Sequence, residues 1–223
     1  MSRLAMVTVV ALICAAPAAA DPIIYEGGGP NQEGGFFADG SAGISILAES
    51  FVLQPGTTTI TDAHWWGACE DIAGCSAPDF TLRFYSDDNG TVGSLIDTRP
   101  VGAANQGKTG NLLIDYPEYA YSATFAPLTL SANTPYWFAL SENLSNVGVS
   151  GGGWAWETTG DPFGGSHMEW SDPSQAWGTN VQDLAFNLTG TTTPVPEPMT
   201  MTLVGLGVLG FAARRRIGRS RAE

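Results

Sequence analysis

Positive charge is scarce in this chain, which sets nine Lys and Arg against twenty-two Asp and Glu. Six of the nine sit at the two ends, as Arg3, Arg214, Arg215, Arg216, Arg219 and Arg221. The segment from Asp21 to Thr193 keeps only Arg83, Arg99 and Lys108 against twenty carboxylates, a net charge of −17. Such a field repels phosphate backbones, which argues against nucleic acid as a partner. It draws cations instead and favours solubility in salt-rich surroundings.

Cysteine and histidine are equally thin, with three Cys and only His64 and His167. Two thiols and two scattered imidazoles do not match zinc-ligand spacing. Cys14 lies in the leader, so Cys69 and Cys75 are the pair left after export, and an oxidising compartment makes a disulfide between them the default expectation. It would close a short loop and stabilise locally. There is no zinc-binding His pair. His64, beside Trp65 and Trp66, reads as a strand residue and His167 as a loop residue without an identifiable partner. No catalytic residue and no cofactor is assigned, and the chain is expected not to be an enzyme.

Long apolar runs are also missing, except at the ends. At the start, Arg3, the run from Leu4 to Ala16 and the small-residue close Pro17-Ala18-Ala19-Ala20 have the three parts of an export leader. Residues 1–20 are read as a signal peptide, helical in its apolar part, which signal peptidase would recognise through Ala18 and Ala20. The competing reading, a membrane anchor, needs about 20 apolar residues and finds fewer.

Between the ends no segment has a dependable helical period. Short apolar stretches are divided by Gly, Pro, Asn and Asp, and apolar residues alternate with polar ones in Phe80-Leu82-Phe84, Tyr119-Tyr121-Ala123-Phe125, Tyr136-Phe138-Leu140 and Leu184-Phe186-Leu188. Further strands are expected over 49–53, 58–68, 95–101, 111–115 and 153–157. Nine or ten such strands predict an all-β domain over residues 21–190, an antiparallel jelly-roll-like β-sandwich. The Gly-, Trp- and Pro-rich stretch 150–180 reads as long loops.

Residues 191–198 form a Pro/Thr linker, and residues 199–223 hold an apolar segment, Met199 to Ala213, stopped by Arg214-Arg215-Arg216. As a helix outside the core, those fifteen residues would reach about 22 Å, against about 30 Å for a bilayer's hydrocarbon. Val195-Pro196-Glu197-Pro198, the glycines 205, 207 and 210 and the arginine cluster together resemble the PEP-CTERM sorting signal. The resemblance implies processing near Glu197 and Pro198 by exosortase, a membrane-embedded cysteine peptidase of exopolysaccharide-making Gram-negative bacteria. It also implies transient anchoring in the inner membrane through the C-terminal segment, then residence in the envelope, on the outer surface or outside the cell. The bland alternative is a plain C-terminal anchor in which Pro-Glu-Pro is only linker composition.

Two groups of residues suggest binding. Flat indoles stack on sugar rings, and Trp170 and Trp177, in the expected loops, are the better candidates for a platform. Trp154 and Trp156 share one strand face and point together either outward or, as favoured, into the core. Asp87, Asp88 and Asn89 gather oxygen ligands suited to calcium, although Asn89-Gly90 equally marks a tight hairpin turn, which is the favoured reading. The expected function is therefore a non-enzymatic envelope or matrix module associated with exopolysaccharide, with carbohydrate binding as its means. A purely structural, adhesive module bridged by cations is the alternative. An extracellular glycan-active enzyme ranks third, since sequence spacing cannot pair two carboxylates across a cleft.

Overall fold

The computed structural model describes residues 21–38, 46–69, 79–102, 104–143, 153–160, 168–171, 176–180 and 182–192, without the side chains of Met168, Trp170 and Ser171. The signal helix, the C-terminal hydrophobic helix and tail, Cys75 and His167 lie outside the described residues.

In chain order the strands are β1 (Ile23–Glu26), β2 (Pro30–Phe37), β3 (Ile46–Val52), β4 (Thr59–Cys69), β5 (Phe80–Asp88), β6 (Thr91–Gly102), β7 (Asn105–Leu113), β8 (Tyr116–Thr129), β9 (Pro135–Glu142), β10 (Trp154–Thr159), β11 (Met168–Ser171), β12 (Ala176–Thr179) and β13 (Phe186–Thr191). Among the described residues there is no helix. All the strand pairs are antiparallel, in a seven-stranded and a six-stranded sheet. The expected all-β sandwich is therefore the observed architecture.

In the seven-stranded sheet β4 is the axis. Both β13 and β8 pair with its residues 59 to 65, so they flank it on opposite sides, while β10 pairs with its far end at residues 67 to 69. β1 lies outside β13, β2 outside β10 and β7 outside β8. The six-stranded sheet runs β12-β11-β3-β9-β5-β6. Successive strands often change sheets (β3 to β4 to β5, β8 to β9 to β10), which suits the jelly-roll-like expectation.

Alternation fixes the inner faces. Phe80, Leu82 and Phe84 of β5 are fully buried, while Thr81, Arg83 and Tyr85 between them lie on the outer face and stay part-exposed. Trp65, Trp154, Trp156, Phe138 and Phe186 fill the space between the sheets. Phe138 stacks on Phe186 across the layers at 5.0 Å, and Trp154 meets Phe80 edge-on at 4.9 Å. Burying each such ring contributes about 1.5–3 kcal/mol. Where β10 crosses β4 the backbones approach so closely that a β-carbon on Gly67 would collide with the Ala155 carbonyl, so only glycine fits there.

Two hairpins fold back over the outer faces. β12 stands four strand steps from β5, about 19 Å in a flat sheet, yet Trp177 touches Tyr85 with ring centroids 5.7 Å apart. The β11–β12 hairpin therefore bends across β3 and β9, sealing a small apolar cluster of Ala48, Ala139, Val92 and Trp137. On the opposite sheet the β7–β8 tip leans across β4 and β10, so that Leu113, Ile114 and Tyr116 share a recess with Gly35, Phe37, Ala68 and Ala155. The hairpin over the six-stranded sheet corrects the expectation of long loops in 150–180 beyond the strand expected at 153–157. β1 and β2 were likewise not foreseen, because glycine and proline dominate 27–35.

Candidate functional site

The residues singled out in the sequence are dispersed. Trp154 and Trp156 are fully buried, and Trp156 Nε1 donates to the Ala185 carbonyl at 2.8 Å. As carbohydrate-binding candidates they are corrected: the shared parity of the pair points inward, into the core. Trp177 is half-buried at the edge of the cluster it seals, and Trp170 pairs with it through the backbone of β11 and β12.

Asp87, Asp88 and Asn89 form a hairpin turn, with Asn89 at φ 54° and Gly90 at φ 84°, the left-handed values of a two-residue hairpin loop. Asp87 Oδ2 accepts the Gly90 N–H at 3.0 Å and Oδ1 accepts Trp137 Nε1–H at 2.9 Å. Asn89 Nδ2 donates to Asp88 Oδ1 at 2.9 Å. These bonds use the carboxylates for the turn and for the outer-face tryptophan, which is the geometry of a hairpin turn. Cys69 ends β4, buried beneath the sandwich edge. Its expected partner Cys75 is outside the described residues.

At one open side of the sandwich, between β6 and β8, lies a cleft of about 590 Å³. Thr98, Arg99 and Pro100 form one wall, and Asn105, Ser122, Thr124 and Phe125 form the other. The Arg99 guanidinium stands 5.9 Å from the centre of the Phe125 ring and is paired with Asp97, whose Oδ2 accepts Nε–H at 2.7 Å. Thr124 Oγ1 donates to Asp62 Oδ2 at 2.7 Å, and Asp62 Oδ1 lies 2.7 Å from His64 Nε2. The walls thus offer hydroxyls, an amide, a neutralised guanidinium and a phenyl ring. Composition gave no hint of this cleft, because it arises where the edges of two sheets diverge.

A different set of side chains was missed as well. Glu49, Glu118, Glu157 and Asp183 are buried, and none of them forms an ion pair with a basic side chain among the described residues. Glu49 points inward between Leu47 and Phe51. Its Oε1 accepts the Ser50 N–H at 2.9 Å and its Oε2 the Leu184 N–H at 3.0 Å, so it ties the two sheets together. Burial pushes its carboxyl up to about 8, helped by Asp183 nearby and opposed by the two N–H bonds. Tyr25, whose hydroxyl donates to the Ser50 carbonyl at 3.1 Å, is raised by burial and by the same two acids.

Glu118 and Glu157 meet beneath the β7–β8 tip, their carboxyls within hydrogen-bonding reach of each other. Gln32 bridges them. Its backbone N–H donates to Glu157 Oε1 at 2.6 Å and its Nε2 to Glu118 Oε2 at 3.0 Å. Gln32 holds φ at 61° to do so, a conformation that side-chain-bearing residues adopt sparingly. Burial again dominates, pushing Glu157 up to about 8 against the Gln32 N–H bond, with the Glu118 charge adding to the rise. The alternation of β5 and β9 was readable, but Glu118 and Glu157 stand at outer-face positions, where sequence gives every reason to expect solvent.

Comparison with known families draws attention to the C-terminal residues. A family model described as the PEP-CTERM protein-sorting motif matches residues 194–216, the stretch that contains Pro196-Glu197-Pro198, the apolar segment and the three arginines. Comparison with curated proteins and with solved structures finds no match. Beyond the last strand of its β-sandwich the chain thus bears a PEP-CTERM protein-sorting motif, which marks it as an exported protein processed by exosortase and bound for the cell envelope or surface.

Proposed function

We propose that the β-sandwich is a non-enzymatic module of the cell surface or extracellular matrix that associates with exopolysaccharide, and that the cleft between β6 and β8 is where it holds the sugar. The observation that carries this reading is the make-up of the cleft walls. Thr98, Ser122 and Asn105 supply hydroxyl and amide partners for sugar hydroxyls, beside the Arg99 guanidinium stacked over Phe125. Arg99 is neutralised by Asp97, so a neutral or weakly acidic polymer fits better than a densely anionic one. Signal peptidase removes residues 1–20 before exosortase acts on the tail, and the C-terminal segment holds the precursor in the inner membrane in the interval.

The adjoining carboxylates Glu118 and Glu157 favour this over a glycan-cleaving enzyme. They lie under a hairpin and outside the cleft lining, where a sugar in the cleft would not reach them. The test is retention of the secreted protein on a column of the host's own exopolysaccharide. Arg99→Ala with Phe125→Ala is expected to abolish retention and Trp177→Ala to leave most of it. Retention that depends on Trp177 and not on the cleft would move the site to the β11–β12 hairpin, and no retention at all would defeat the reading.

A cation-bridged adhesive module is the second reading, favoured by the charge of −17 over residues 21–193. Calcium-dependent self-association of the secreted protein would support it.

A further inference from the structure

We propose that the buried carboxylates Glu118 and Glu157, joined by the side-chain oxygen of the exposed Asn111, form a site for a divalent cation of the calcium class, which pins the tip of the β7–β8 hairpin to the sheet beneath it. The site is separate from the cleft and does not depend on the sugar reading.

Glu118 is 1 % and Glu157 0 % exposed. Two carboxylates placed together out of water repel each other and lose hydration, so an arrangement of this kind persists only with a shared proton or a bound cation. Gln32 supplies one N–H to each carboxylate and no more, and Glu157 Oε2 accepts from no N–H or hydroxyl. That oxygen is buried, and the carboxylate that carries it lies close to Glu118.

Asn111 Nδ2 reaches Glu118 Oε1 only at 3.5 Å, the limit of a hydrogen bond. A half-turn of that amide presents Oδ1 to the same point. The donor set is then oxygen alone, from two carboxylates and an amide. This suits a hard cation that accepts loose geometry, and it lacks the nitrogen or sulfur that zinc and copper favour.

The ligands come from separate strands: Asn111 from β7, Glu118 from β8 and Glu157 from β10, with Gln32 of β2 as the bridge. A cation here therefore cross-links the β7–β8 ladder to the β2–β10 ladder, which are otherwise joined by the Gln32–Glu118 hydrogen bond and by Leu113 against Gly35. The surplus negative charge of the domain raises the local concentration of divalent cations further.

The experiment is thermal unfolding of the secreted protein in EDTA and in calcium, with calorimetric titration of calcium into the chelated protein. At about 100 times Kd the melting temperature is expected to rise by roughly 5–10 °C. Glu157→Gln is the decisive variant, because its amide can donate to Glu118 and so replaces a shared proton while removing a ligand. It is expected to fold in EDTA at least as stably as the wild type and to lose the calcium-dependent shift and the titration heat. Two results would overturn the site: a melting temperature indifferent to calcium and chelator, which assigns the pair to proton sharing alone, or a calcium response that survives undiminished in Glu157→Gln.

Discussion

Trp177 lies edge-on to Tyr85, with ring centroids 5.7 Å apart and planes at 78°, although its strand stands at the far edge of the sheet from β5. That contact makes the indole a clasp for the β11–β12 hairpin. Trp177→Ala is expected to lower stability by about 2 kcal/mol, less than for a fully buried ring. Denaturant unfolding measures the loss. Hydrogen exchange should accelerate in β11 and β12 first, and unchanged exchange there would show that the hairpin is held by something else.

Asp87 joins its turn to the outer face of the sheet through the Gly90 N–H and the Trp137 indole. Asp87→Ala removes both acceptors and is expected to cost about 1–3 kcal/mol. Addition of calcium should not alter the difference between the two proteins. A calcium-dependent difference would restore the metal reading of this turn.

Two carboxyls, Glu49 and Glu157, sit in the folded protein at about 8. Their unfolded values are near 4.5, so between those limits the folded state binds more protons than the unfolded one. The contribution of these groups is therefore fully present below pH about 4.5 and is lost as pH rises through about 8. In EDTA, the unfolding midpoint of the wild type should fall across that window, and Glu157→Gln should fall less steeply. A midpoint that rises with pH there, in the same buffers, would contradict the placement of these carboxyls.

Pro196 and Glu197 lie within the matched sorting motif. Replacing both by Ala is expected to leave the β-sandwich folded but to block processing by exosortase. The unprocessed chain should accumulate in the inner-membrane fraction with its arginine tail, as read by mass spectrometry. Normal release of the variant would separate export from this motif.

Most of the core was legible because burial in a two-layer sandwich follows the strand period. Phe80, Leu82 and Phe84, or Tyr136, Phe138 and Leu140, declare their face within five residues. Glu49 could have been found the same way, since it shares the parity of Leu47 and Phe51. β11 and β12 were hidden because Gly, Trp and Pro in 150–180 suggest loops, and a four-residue strand carries too little alternation to oppose that impression. The cleft had no local signature at all. Its walls are contributed by residues 98 to 105 and 122 to 125, brought together by the crossing of β6 and β8 rather than by any spacing.

The sequence by itself determined the address and the class. A sorting tail is read as linear order, and alternating strands with turn formers between them point to an antiparallel sandwich or barrel. Only the tertiary structure decided which tryptophans are core and which acids are buried. Glu118 and Glu157 occupy positions that would face water on an uncovered sheet, and they lose it because a hairpin from another part of the chain folds over them. Burial of that kind depends on non-local packing, and with it the chemistry of the site.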